Sequence, residues 1–226
     1  MEPEDTSRNF HRELEGSIEE FHLPSGQVPP GHAYDGIVVT GSRTSVYWDE
    51  PWIAAAKAWL GEATDRGIPV LGVCWGHQLL ADVLGGTVEA MGRYEIGYRT
   101  VEHTGTDRLF DGIGREFTVF TTHQDAVVEL PPGARATASN DYSNHGFRSG
   151  PFFGVQFHPE YDMATAEYVA RVKDIDEARR ERVLADITPE TYARACEAKQ
   201  VFGNFTDFVC ERAGTEPSSS GEAASD

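Results

Sequence analysis

The chain is poor in lysine, in cysteine and in uninterrupted apolar sequence. Of its 226 residues 19 are basic, and only Lys57, Lys173 and Lys199 are lysines. Set against 37 acidic residues, this leaves a net charge of −18. Such a surface repels polyanions, so neither nucleic acid nor an anionic membrane is expected as a partner. Many acids and few lysines also suggest adaptation to high salt (a halophilic origin), where dense surface charge is screened and keeps proteins dissolved. No apolar run reaches the roughly 18 residues that a transmembrane helix needs. The N-terminus, MEPEDTSRNF, is acidic and polar, unlike a secretory signal, so a cytoplasmic location is expected. Cys74, Cys196 and Cys210 are odd in number, far apart and without a CxxC pair. That pattern argues against a disulfide framework or a zinc site, and leaves at least one thiol unpaired within the chain.

What is present suffices for a sizeable core: 39% of the chain is apolar, with 12 Phe, 8 Tyr and 4 Trp. RNFHRELE (8–15) reads as a helix with Phe10 and Leu14 on one face, capped by Asp5, Thr6 and Ser7 and closed by Gly16. IEEFHL (18–23) alternates and reads as a strand, and DGIVVTG (35–41) as a strand buried on both faces. Residues 51–65 start with proline and place Trp52, Ala56, Trp59, Leu60 and Ala63 at helical spacing. IPVLGV (68–73) is a further buried strand, and WGHQLLADVL (75–84) a helix closed by Gly85 and Gly86. The alternation indicates an α/β fold with a mostly parallel central sheet and helices on both faces. Residues 86–158 read as short strands, a small antiparallel part: TVEAMG, YRTVEHT, FTVFTTH, ARATAS and FFGVQFH. Residues 163–209 turn charged and helical, in two or three helices, and the tail over 211–226 is small, polar and expected to be disordered.

One stretch asks for a chemical explanation. GVCWGHQLLA (72–81) sets Cys74 between two glycines, where an apolar strand becomes a helix. A packing cysteine needs no such neighbours, whereas a nucleophile on a tight strand-to-helix turn does. The helix N-terminus behind it offers N–H groups and positive potential to a thiolate or an oxyanion. A cysteine nucleophile needs a base, and the base an orienting group. GVQFHPEY (154–161) supplies both: His158 emerges at a strand end, Pro159 stops the ladder, and Glu160 follows.

Together GVCWGHQLLA and FHPEY resemble the nucleophile and His-Pro-Glu motifs of the class I, triad-type glutamine amidotransferases. EIGY (95–98), THQD (122–125) and NF (204–205) are similar to the GMP-synthase-like branch. The resemblance implies a flavodoxin-like class I amidotransferase domain over 1–210. It also implies that Cys74 attacks the side-chain amide of glutamine, that His158 serves as base and then acid, and that Glu160 orients His158. The oxyanion would be held by the backbone N–H of Trp75 and that of Ser42 or Gly41. Gln78 and a loop of His123, Gln124 and Asp125 would line the glutamine pocket. No metal and no cofactor are implied. The other histidines show no metal-ligand spacing, His77 is given no catalytic role, and Cys196 and Cys210 read as packing thiols.

The chain departs from that family at three places. Gly41-Ser42-Arg43 stands where the family usually has Gly-Gly-Pro. A charged helical insertion, about 163–198, separates Glu160 from the NF signature. It reads as a solvated cover, with partner docking as the alternative. The family begins with a strand, but no apolar run precedes Thr6. The expectation is that a start upstream of Met1 encodes a strand of about 5–8 residues, an ordinary strand length. The chain has no phosphate-cradling glycine loop, so an amidotransferase role implies a separate synthase partner such as a GMP synthetase. A γ-glutamyl peptide hydrolase with the same triad is the alternative activity. A non-catalytic regulatory relative is a third, but it would be expected to lack one of Cys74, His158 and Glu160.

Overall fold

The computed structural model describes residues 3–214, with side chains from Thr6 onward. A seven-stranded sheet in the order β1-β2-β7-β6-β5-β3-β4 forms its centre. Its strands are β1 (Ile37–Val39), β2 (Val70–Val73), β3 (Thr87–His103), β4 (Glu116–Glu129), β5 (Arg135–Ser139), β6 (Asn144–Ser149) and β7 (Phe152–Val155). Only β1, β2 and β7 run parallel. The other pairings are antiparallel, so the part expected to be small makes up the larger share of the sheet.

Helices cover both faces, as the strand–helix alternation requires. On one face α1 (Pro3–Glu13) and α7 (Gln200–Ala213) press Phe10, Phe202, Phe205 and Phe208 onto Leu71, Val73, Phe153 and Val155. On the other, α2 (Pro51–Asp65) and α3 (Trp75–Val83) press Ile53, Leu60, Trp75 and Leu79 onto Val70 and Phe152. The charged stretch forms α4 (Met163–Val172), α5 (Glu177–Asp186) and α6 (Pro189–Ala195), followed by a 3₁₀ turn and then α7. Ala166, Val169 and Val183 of these helices roof Ile96, Tyr98 and Phe120 on β3 and β4. None of the helices among the described residues is long and apolar enough to cross a membrane.

Several expected elements move. Helix α1 starts earlier than expected, so Thr6 and Ser7 lie within it rather than capping it. TVEAMG and YRTVEHT are one long strand, β3, with a register shift between Ala90 and Glu95. Strand β6 (NHGFRS) was not anticipated, because its polar residues hide a buried centre at His145, Gly146 and Phe147. Residues 211–213 extend α7, and 215–226 of the expected tail lie outside the described residues.

IEEFHL is not a strand. Residues 17–22 run without a ladder partner, tied to α1 where Ser7 Oγ donates to Glu20 Oε1 at 2.7 Å and His11 Nε2 lies 2.8 Å from the same oxygen. Strand β1 pairs with β2 alone, and is half-buried rather than buried on both faces. Between β1, α1 and residues 17–22 lies a trough of about 1260 Å³ that reaches Cys74.

Candidate active site

Strand β2 ends at Val73, and Cys74 follows with φ 54 and ψ −105, leading into α3. Among the described residues it is the only non-glycine with positive φ. A conformation of that kind costs about 1–3 kcal/mol and persists only where the surroundings enforce it. Here they do. The Cys74 N–H is fixed to the Val155 carbonyl at 2.8 Å. The flanking glycines are required by space: a Cβ on Gly72 would lie 2.4 Å from the Gly76 carbonyl oxygen, and one on Gly76 would lie 2.0 Å from that of Val39. The GVCWG pattern is thus the condition for seating a helix N-terminus directly against β1 and β2.

His158 arrives from the neighbouring parallel strand. Residues 156–158 run on beyond β7, and the His158 N–H donates to the Phe120 carbonyl at 2.9 Å. The imidazole Nδ1 lies 2.7 Å from Glu160 Oε1, with both side chains buried. Tyr161 stacks on the ring with centroids 4.1 Å apart. Arg12 of α1 donates to the Glu160 carbonyl at 2.6 Å and so pins the backbone that carries the carboxylate. Burial alone would push the His158 imidazolium down. The charges that the facing Cys74 and then Glu160 can place beside it outweigh burial and bring it up to about 10. Burial, then the charges of Glu160 and Cys74, push the Tyr161 hydroxyl well above its usual range, so it stays neutral.

Gly41 closes the site from the end of β1. A Cβ there would stand 3.1 Å from His158 Cε1 and 3.8 Å from Cys74 Cβ, so its backbone passes directly over the Cys–His pair. Ser42 follows, its Oγ 3.0 Å from Thr44 Oγ1 and accepting from the Thr44 N–H at 3.3 Å. The cavity at Cys74 is bordered by Gly41, Ser42, Trp75, Thr122 and Tyr161. Gly-Ser-Arg thus occupies the position over the nucleophile without a proline.

The four residues expected to line the glutamine pocket divide. Residues 123–125 form part of β4 rather than a loop. Opposite them MGRY (91–94) bulges out of β3, since Ala90 pairs with Asp125 and Glu95 with His123. Gln124 is exposed. Gln78, His123 and Asp125 are buried one layer behind the cavity wall. Gln78 Nε2 donates to the Asp125 carbonyl and to Gln156 Oε1, each at 3.0 Å. The Asp125 carboxylate accepts from Ser45 and from Tyr47, the latter at 3.0 Å. Sequence reasoning missed Ser45 and Tyr47, because nothing local marks them.

The structure also gathers residues that spacing did not connect. Glu95 Oε2 lies 2.8 Å from His123 Nε2 and 3.1 Å from His145 Nε2, all three side chains buried. Asn140 Nδ2 donates to Glu95 Oε1 at 2.6 Å. The possible ligand atoms of Glu95, His123 and His145 lie within 4.8 Å of one another, the one such cluster among the described residues. Both Nε2 atoms face one carboxylate oxygen, while the buried Nδ1 of His145 has no hydrogen-bond partner. Burial alone would raise the Glu95 carboxyl; the bonds from His123 and His145 outweigh it and hold the carboxyl well below its usual range. His77, next to this cluster, packs on Phe147 and against Gly154. Burial, then the nearby His145 and His123, push it down to about 3, so it is neutral packing.

No packing role calls for a positive-φ cysteine facing a carboxylate-held imidazole, and this is the arrangement that acyl transfer to sulfur uses. The chain belongs to the glutamine amidotransferase class-I family, whose family model matches residues 12–171. It is similar to the glutamine-hydrolyzing GMP synthase of Thermobifida fusca, 36% identical over 154 residues, which are 63% of this chain and 28% of that protein. It is also similar to the GMP synthase of Syntrophomonas wolfei, 32% identical over 172 residues, 71% of this chain and 33% of the relative. The chain thus spans a third or less of the length of these relatives. Among solved structures it resembles a glutamine amidotransferase from Thermotoga maritima, with TM-score 0.74, 25% identity, and 88% of this chain and 91% of that one covered.

Proposed function

We propose that this chain hydrolyses the side-chain amide of glutamine to glutamate and ammonia. The reading rests above all on one observation: Cys74, on its positive-φ turn, faces His158, whose Nδ1 lies 2.7 Å from Glu160 Oε1. His158 takes the thiol proton of Cys74 as the sulfur engages the substrate. The thiolate sulfur attacks the amide carbon, and the carbonyl oxygen becomes an oxyanion. The backbone N–H of Trp75, and that of Gly41 or Ser42, receive this oxyanion. Removing one such donor typically costs about 10²–10³-fold in turnover. The intermediate collapses as the C–N bond breaks, and His158 hands its proton to the departing nitrogen. Ammonia leaves, and a glutamyl thioester remains on Cys74. Water, deprotonated by the now neutral His158, then cleaves the thioester, glutamate leaves, and the proton on His158 returns to the Cys74 sulfur. Glu160 keeps the imidazole in one orientation throughout. Gln78, His123 and Asp125 shape the pocket from behind, and Gln124 lies at its outer side.

The ammonia is destined for a synthase, and the similarity to GMP synthases supports a GMP synthetase as that acceptor. A second reading is γ-glutamyl peptide hydrolysis, and the trough favours it, since about 1260 Å³ beside Cys74 leaves room for a leaving group larger than ammonia. One assay separates the two. Release of glutamate is measured side by side from free glutamine and from a γ-glutamyl dipeptide. Turnover of glutamine at least equal to that of the dipeptide, lost in Cys74→Ala, supports the amidotransferase reading. Turnover of the dipeptide alone would replace it.

A further inference from the structure

Away from the triad, the most acidic kind of surface carries its opposite. Nine arginines form ion pairs with carboxylates: 8, 12, 66, 108, 115, 135, 148, 171 and 180. Among the described residues seven arginines form none, and four of the seven, Arg93, Arg99, Arg179 and Arg182, line one pocket of about 540 Å³. The pocket lies between the bulge of β3 and α5. In a chain with 37 acidic residues, four guanidinium groups left together without carboxylate partners are conspicuous.

The groups are held in place by neutral contacts. Arg99 donates to the Tyr98 and Ile96 carbonyls, each at 2.7 Å, and Arg179 donates to the Tyr94 carbonyl. Arg182 Nε donates to the Ala178 carbonyl at 3.2 Å. Arg93 stacks over Tyr142 at 4.4 Å and donates to the Asp141 carbonyl at 3.3 Å, while Arg99 approaches the same ring at 5.7 Å. A guanidinium has five N–H donors, so each keeps several free. Arg179 and Arg182 stand three residues apart on α5 and so share a face. Two acids line the pocket as well. Asp176 Oδ1 is occupied with the Arg179 backbone N–H at 2.9 Å, and Asp186 closes the far end of α5. Four cations and two anions leave an excess of two positive charges.

We propose that this pocket binds a small phosphate-bearing dianion. Fixed guanidinium forks match phosphate oxygens two at a time, and a dianion cancels the excess charge. The inference is independent of the triad. Its floor nevertheless touches the active site: Arg179 holds the Tyr94 carbonyl, and the Tyr94 hydroxyl lies 3.5 Å from Thr122 Oγ1 in the wall beside Cys74.

The test is calorimetric titration of the full chain with inorganic phosphate and with pyrophosphate, at constant ionic strength set by chloride. The expected result is saturable one-to-one binding, tighter for pyrophosphate. Arg93→Gln with Arg182→Gln should weaken it by about tenfold or more, since two charge-assisted donors are lost. Asp186→Asn, which removes an opposing charge, should tighten it. Absence of saturation, equal affinity in the double variant, or weaker binding in Asp186→Asn would overturn the proposal. Binding of a polyglutamate peptide without binding of pyrophosphate would also overturn it, and would make this a protein-docking face.

Discussion

Residue-scale effects at the site turn on distances of a few ångströms. His158 and Glu160 are expected to be unequal. His158→Ala should cost about 10²–10⁴-fold in turnover, the usual worth of general acid–base help. Glu160→Gln should cost less, because the amide still holds the ring; steady-state rates of both variants check the order. Cys74→Ala removes the larger of the two charges that raise His158. The His158 ring protons, followed by NMR, should titrate near 10 in the native protein and lower in the variant. The sign for stability follows. A histidine raised on folding stabilises below its ordinary value of about 6.5, and that contribution fades as pH rises through about 10. Glu95 has the opposite sign. Its lowered carboxyl stabilises the fold above the usual carboxylate range, and this is lost as pH falls. Glu95→Gln should therefore flatten the acid side of a melting-temperature profile and cost about 1.5–3 kcal/mol at neutral pH. Much of this site was legible. Cys74, His158 and Glu160 stand in short motifs, and the structure brings the three together. Ser45, Tyr47, Glu95 and His145 meet only through tertiary folding, so their partnership has no local signature.

Elements obey the sequence where a single pattern decides and depart from it where neighbours decide. Helix α2 matches its expected bounds because Pro51 and an apolar face act together. IEEFHL has the alternation of a strand, but alternation cannot supply a partner, and residues 17–22 find none. The outer edge of β1 therefore faces the trough rather than another strand. A strand added there would pair the free edge of β1 and cover apolar surface of the trough. A form of the chain carrying an apolar strand of about 5–8 residues ahead of α1 is expected to melt higher and more cooperatively. Equal melting curves for the two forms would show that the trough needs no strand. Gly76 tests the other contact of β1. Gly76→Ala would drive a methyl to 2.0 Å from the Val39 carbonyl oxygen. A loss of about 1–3 kcal/mol or more, typical of overpacking, is expected in urea unfolding.

At the scale of the whole molecule, charge and catalysis separate. A net charge of −18 repels itself in dilute buffer. The screening length falls from about 10 Å at 0.1 M salt to about 3 Å at 1 M. The melting temperature should therefore rise in molar KCl, and an unchanged value between dilute and concentrated KCl would contradict that expectation. The proposed function makes Cys74 the carrier of a glutamyl group. That claim is tested most directly by treating the protein with a glutamine-mimicking alkylator and mapping the adduct by peptide mass spectrometry. The account predicts one adduct, on Cys74, blocked by glutamine and absent from Cys196 and Cys210. An unlabelled Cys74, or labelling spread over all three thiols and indifferent to glutamine, would contradict it.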